Sequence, residues 1–192
     1  MRFRISLALF TALGVASAWL GWMVYESRPG QAAQPPAHYP EAGPLPRLMM
    51  FLHPRCPCSR ASLEAFRPFQ SSRAHLEIII SGPVQLAQPE YICGLRAAFD
   101  RCEVSLDSDG RRRELYRVWT SGQVVGYDER GDLGFCGGLT SGRGQTGPSS
   151  EQDRLKAWLL GERVTDSPVF GCPLVSPDEC CCQSQATGRR NQ

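Results

Sequence analysis

The apolar run Arg47-Leu48-Met49-Met50-Phe51-Leu52 ends at His53-Pro54 and passes directly into Arg55-Cys56-Pro57-Cys58. An apolar run without polar alternation marks a strand buried on both faces, which places it inside a sheet covered by other layers. From Cys56 onward, Leu63, Phe66 and Phe69 recur at about helical spacing. Pro57 suits a first helical turn, where its missing N–H is not needed. A helix is therefore predicted to begin at the cysteines, and a buried strand feeding a helix commits the chain to an α/β layer architecture.

The rest of the chain continues the alternation. Leu76 to Ile80 reads as a second buried strand, and Ile92, Leu95 and Phe99 share one face of a second helix. Val104 and Leu106 mark a third short strand, and Asp109 is placed to cap a helix running through Leu115, Tyr116 and Trp119. Gln123 to Tyr127 and Leu133 to Phe135 flank the turn Asp128-Glu129-Arg130-Gly131 and read as a β-hairpin. After a polar loop from Leu139 to Ser150, Ser150 with Asp153 resembles a capping box ahead of Leu155, Trp158 and Leu159, with Gly161 to end the helix. The predicted order β-α-β-α-β-α-β-β-α is an α/β sandwich with a mixed central sheet, mostly parallel with an antiparallel end.

The flanks bear on compartment. Met1-Arg2-Phe3-Arg4 is basic, and the run from Ile5 to Tyr25 carries no charge, which matches the roughly 20 residues a hydrocarbon core requires of a helix. Residues 1–25 are expected to be an N-terminal transmembrane anchor with the basic end inside, or, through the small-x-small pattern Ala16-Ser17-Ala18, a signal sequence. Residues 26–46, rich in Pro, Ala, Gly and Gln, are expected to be an extended linker; residues 47–174 form the domain, and residues 175–192 a Cys-rich flexible tail. Both readings of the N-terminus export the domain, so the expected location is a bacterial inner or cytoplasmic membrane with the domain on the periplasmic or extracytoplasmic side.

Nine cysteines fit an oxidising compartment, and an odd number leaves at least one without an intramolecular disulfide. A helix N-terminus lowers a thiol pKa because unpaired N–H groups and the dipole favour negative charge. Cys56 sits where that effect is expected, with His53 and Arg55 near in sequence, and Cys58 is close enough to attack a mixed disulfide formed at Cys56. The predicted catalytic residues are therefore Cys56 as nucleophile and Cys58 as resolving thiol. The C-x-C spacing closes a smaller ring than C-x-x-C and favours an oxidant or isomerase over a reductant.

The segment Phe51-Leu52-His53-Pro54-Arg55-Cys56-Pro57-Cys58-Ser59-Arg60-Ala61-Ser62 resembles the active-site segment of the thioredoxin-like superfamily, and in detail it is similar to the RedB family. Thr120-Ser121-Gly122, Tyr127-Asp128, the loop Gly137 to Gly144 and Val169-Phe170-Gly171-Cys172-Pro173-Leu174 resemble that family's other landmarks. The resemblance spans about Arg47 to Leu174 and implies a thioredoxin-like fold. The chain departs from thioredoxins in its C-x-C motif and in carrying Ser121-Gly122 about where they place a cis-proline, so the substrate contact shaped by that proline is not carried over.

Thiol-disulfide exchange on exported thiol proteins or a partner redox protein is the leading expectation, with no cofactor. The alternatives are an extracytoplasmic copper-binding or copper-delivery protein and a non-catalytic thioredoxin-like module. Soft thiolates select Cu(I), and His53 with Cys56 and Cys58 would supply two sulfur ligands and one nitrogen. Cys172 stands either as a third thiol near the site or as a structural residue. Cys93 and Cys102 are candidates to pair across a helix end, Cys136 is expected to be structural, and Cys180-Cys181-Cys182 is either a soft-metal site or a loose tail. A formal net charge of +2 gives no field to attract nucleic acid. The loop from Gly137 to Gly147 lacks the Gly-Lys-Ser/Thr ending of a phosphate cradle, and no His-Glu-x-x-His zinc motif occurs.

Overall fold

The computed structural model describes residues 2–39, 43–83 and 87–174, with side chains from residue 13 onward. The expected Cys-rich tail, residues 175–192, lies outside the described residues. Ten elements follow in order: α1 (Arg2–Ser27), β1 (Arg47–Leu52), α2 (Cys58–Phe66), β2 (His75–Ser81), α3 (Pro89–Ala98), β3 (Cys102–Asp107), α4 (Arg111–Leu115), β4 (Gln123–Tyr127), β5 (Leu133–Gly137) and α5 (Ser150–Leu159). From β1 to α5 this is the predicted order.

The five strands make one mixed sheet, β3-β2-β1-β4-β5. β1 pairs parallel with β2, β2 parallel with β3, and β1 antiparallel with β4, which turns back into β5. β1 is thus an interior strand, and Leu48 to Leu52 are fully buried. Alternation along it divides the core into two. Leu48, Met50 and Leu52 join Ile78, Ile80, Phe66, Phe99 and Leu155 on one face, while Met49 and Phe51 join Ile79, Tyr116, Val125 and Tyr127 on the other. Each such side chain contributes about 1.5–3 kcal/mol on burial, which explains why the run has no polar position.

Three element ends differ from expectation. α4 stops at Leu115 and is capped by Asp107, whose carboxylate accepts from the backbone N–H groups of Arg112 and Arg113, both at 3.0 Å. Asp107 is buried and aimed at the helix by β3, whereas Asp109 accepts from the backbone N–H of Arg111 at 3.3 Å and pairs with the same residue's guanidinium at 2.9 Å. α5 is capped one residue earlier than predicted, by Ser149, whose hydroxyl accepts from the Gln152 N–H. α2 begins at Cys58 and not at Cys56, because Pro57 occupies the cap position with φ −62° and ψ −27°.

The segment expected to be a spacer instead lies against the sheet. Ala33 and Tyr39 belong to the second core, Gln34 N–H donates to the Arg117 carbonyl, Leu133 N–H donates to the Ala37 carbonyl, and the Tyr127 hydroxyl donates to the Pro36 carbonyl. The face that α2, α3 and α5 leave open is covered partly by this extended chain. Ahead of it, α1 carries Leu13 to Tyr25 exposed on every side. Among the described residues no helix is long and apolar enough to cross a membrane, so the expected transmembrane helix is without support there.

Candidate active site

Leaving β1, the chain turns sharply: the Cys56 N–H donates to the His53 carbonyl at 3.1 Å, and the Ser59 N–H donates to the Cys56 carbonyl at 3.0 Å. The Ser121 hydroxyl oxygen accepts from the His53 N–H at 2.9 Å and lies 3.1 Å from the Ser59 hydroxyl. The Ser59 hydroxyl in turn donates to the His53 carbonyl at 3.0 Å. This hydroxyl network ties the cysteine turn to the segment ahead of β4. Gly122, with φ +89°, donates its N–H to the Phe51 carbonyl at 2.8 Å, and a Cβ there would press against the Ser62 hydroxyl.

A third cysteine arrives from the C-terminal end of the described chain. Thr120 forms an antiparallel bridge with Pro173, the Ser121 N–H donates to the Cys172 carbonyl at 2.9 Å, and the Leu174 N–H donates to the Trp119 carbonyl at 2.9 Å. Val169, Phe170 and Leu174 are buried, so this strap is seated along its length. It carries the Cys172 N–H to 3.4 Å from the Cys56 Sγ. The Sγ atoms of Cys56, Cys58 and Cys172 all lie within 4.8 Å of one another.

The three thiols are not equivalent. Burial pushes Cys56 up, but the side-chain and backbone donors of Cys172, the Cys58 N–H and the Ser121 hydroxyl outweigh it and hold Cys56 below the ordinary thiol value. Cys58 is pushed up, by burial first and then by the charge and hydrogen bond of Cys56. Cys172 is pushed up to about 12 by burial and by the same partner. Cys56 is therefore the most readily ionised of the three, with the thiols of Cys58 and Cys172 hydrogen-bonded beside it. That is an arrangement for nucleophilic attack on a disulfide with protonated sulfurs in reserve.

The nearby positive charge is not what the sequence pointed to. Burial, and then the charge of Arg55, lower the pKa of His53, so its imidazole is neutral at neutral pH. Its Nδ1 accepts from the Arg55 N–H at 3.2 Å, and it stands outside the sulfur cluster. Arg143, from the glycine-rich loop, supplies the charge instead: it lowers both Cys58 and Cys172, hydrogen-bonds the Gly171 carbonyl and lies over the Tyr25 ring at 4.9 Å. Ser121 and Arg143 went unnoticed as chemistry, although both lie in stretches that carry the family resemblance.

The other described cysteines are separate free thiols. Cys93 and Cys102 do not pair, and burial pushes Cys102 up to about 11. Cys136 is pushed up to about 12 by burial, with Gln123 Nε2 at 3.4 Å and the Ala33 carbonyl at 3.9 Å from its sulfur.

Neither family models nor curated proteins give a match to this chain. Among solved structures it is similar to an uncharacterized conserved protein from Geobacillus kaustophilus, with TM-score 0.58 and 15% identity over 79% of this chain and 94% of that one. It is also similar to a hypothetical protein from Sinorhizobium meliloti, with TM-score 0.58 and 19% identity over 78% of this chain and 96% of that one. These likenesses establish a shared fold. A secreted Mycobacterium tuberculosis disulfide oxidoreductase matches at TM-score 0.43 and 14% identity, over 63% of this chain and 84% of that one, too loosely to carry an argument.

Proposed function

We propose that the chain is a thioredoxin-like protein of the RedB kind that carries out thiol-disulfide exchange, with Cys56 as nucleophile and Cys58 as resolving thiol. The observation that carries this is the cluster of three sulfurs within 4.8 Å of one another at the strand-to-helix turn, in which Cys56 alone is held below the ordinary thiol value. Cys56 attacks one sulfur of a partner disulfide, and the partner's other sulfur leaves as thiolate and takes up a proton. Cys58 then attacks the Cys56 sulfur and releases the partner's second thiol. The partner disulfide is reduced by two electrons and the Cys56–Cys58 pair is oxidised; the reverse sequence oxidises a dithiol. Exported thiol proteins or a partner redox protein are the substrates of this reading, which needs no cofactor. Thiol counting and redox titration of the whole protein test it: a dithiol-disulfide couple lost on Cys56→Ser is expected, and absence of any interconverting couple overturns it.

Membrane tethering belongs to the same proposal. The uncharged run Ile5 to Tyr25 follows Arg2 and Arg4, and the described turns of α1 leave Trp19, Leu20, Trp22 and Met23 about half exposed or more. The predicted result is recovery in the membrane fraction after alkaline extraction and sensitivity to protease from the extracytoplasmic side.

One observation favours copper handling as a second reading: three sulfurs within 4.8 Å of one another form a soft donor set suited to Cu(I). The donors would be Cys56, Cys58 and Cys172, with His53 outside the set. Tight Cu(I) binding to the reduced protein, weakened by each single Cys→Ser change, is the result this reading requires.

A further inference from the structure

We propose that Cys172 is a second resolving thiol and that Cys56–Cys172 is the disulfide in which the oxidised site rests, with Cys56–Cys58 as its exchange partner. This rests on the thiol-exchange reading above and adds a third redox participant to it. Cys56 and Cys58 flank the cap residue Pro57 with their sulfurs within 4.8 Å, so a disulfide between them spans a single residue. A bond between them has to close within one tight turn. Cys172 comes from a separate segment, and both its thiol and its N–H are donors to the Cys56 sulfur.

The strap also holds Cys172 as a docked peptide would be held. Pairing of an extended segment against an exposed backbone edge is a general mode of peptide recognition. Here the edge at Trp119 to Ser121 is taken by the chain's own residues 172–174, hydrogen-bonded at both ends and bridged at Thr120–Pro173. The strap thereby presents its thiol to Cys56 from a paired, extended segment. Gly171 makes the approach possible, since a Cβ at that position would overlap the Ser121 carbonyl oxygen. Arg143 bonds the Gly171 carbonyl and offsets only part of the upward push that burial and Cys56 exert on Cys58 and Cys172.

The chemistry balances without an added reagent beyond the partner disulfide. After Cys56 forms the mixed disulfide, Cys172 gives its proton to the partner thiolate released in that step. Its sulfur attacks Cys56 and expels the partner's remaining sulfur, which is protonated from solvent. Two electrons pass from Cys56 and Cys172 to the partner. Attack by Cys58 on Cys56 of the Cys56–Cys172 bond then moves the disulfide to Cys56–Cys58 with no net oxidation, releasing Cys172 as a thiol.

The test is redox titration of the full chain in glutathione buffers, with acid quenching, alkylation and mass-spectrometric mapping of linked peptides. A Cys56–Cys172 linked peptide is expected as the main oxidised species of the unmutated protein, and Cys58→Ser is expected to keep a reversible couple. Cys172→Ser is expected to shift the titration midpoint by at least tenfold in the glutathione ratio. A map showing only Cys56–Cys58, with Cys58→Ser abolishing the couple and Cys172→Ser titrating as unmutated protein, overturns the role of Cys172 while leaving thiol exchange standing. Absence of any interconverting disulfide overturns both. Mapping the unmutated protein decides the question even where a variant folds poorly.

Discussion

The backbone N–H of Cys172 points at the sulfur of Cys56 from 3.4 Å across 116 residues of sequence, and this contact favours the ionised form of Cys56. It predicts a pH profile. Alkylation of Cys56 by iodoacetamide should have its midpoint below the ordinary thiol value, and Cys172→Ala, which keeps the N–H but removes the S–H donor, should move that midpoint up. The sign for stability follows: a folded pKa below the unfolded one contributes stability present above the unfolded thiol value and lost as pH falls through the folded value.

Ser121→Ala should also raise the Cys56 midpoint, because the Ser121 hydroxyl is one of the donors favouring the thiolate. It removes the acceptor of the His53 N–H as well, and should cost about 1 kcal/mol in urea unfolding. Ser121→Cys is not a suitable control, since it would add a fourth thiol beside the cluster.

Gly171→Ala should lift the strap away from Ser121. Cys172 should then alkylate faster and the Cys56 midpoint should rise, with a stability loss of about 1–3 kcal/mol from overpacking. Equal alkylation of Cys172 in both proteins would count against a seated strap.

Glu77 gives a prediction independent of redox chemistry. It is buried on β2, and its carboxylate accepts from both terminal nitrogens of Arg112, one at 2.6 Å, and from the Ser105 hydroxyl at 2.9 Å. Burial pushes Glu77 up, but these hydrogen bonds and the Arg112 charge overcome it and hold the carboxyl below its usual range. Its stabilisation is therefore present above the unfolded carboxyl pKa and lost as pH falls through the folded one. Glu77→Gln should cost about 3 kcal/mol at neutral pH in urea unfolding and flatten the acid limb of the stability curve.

The element order was legible because β1 and β2 are buried on both faces and α2, α3 and α5 carry apolar side chains at helical spacing. Cap positions were less so. Asp107 and Asp109 look alike in sequence, and only the end of β3 aims one of them at α4. The placement of Cys56 and Cys58 between β1 and α2 was legible from the apolar run and the helical spacing that flank them. The convergence of Cys172 was not, because it depends on pairing at Thr120 across a long separation, which no local pattern encodes. Arg143 was hidden for a related reason: it lies in a loop whose composition argues only against a phosphate cradle. The packing of residues 28–39 was hidden by a composition that also suits an unattached linker.

The separation of Cys56 and Cys172 has a consequence beyond electron transfer. The proposed bond across 116 residues would enclose everything from α2 to α5 in one covalent ring, and closing so long a loop would restrict the unfolded chain by about 5 kcal/mol. Folding and oxidation then become two readings of one linked equilibrium. With that bond in place, whatever loosens the domain would make the bond easier to reduce, and a reductant that opens it would also shorten the survival of the domain against heat and proteases.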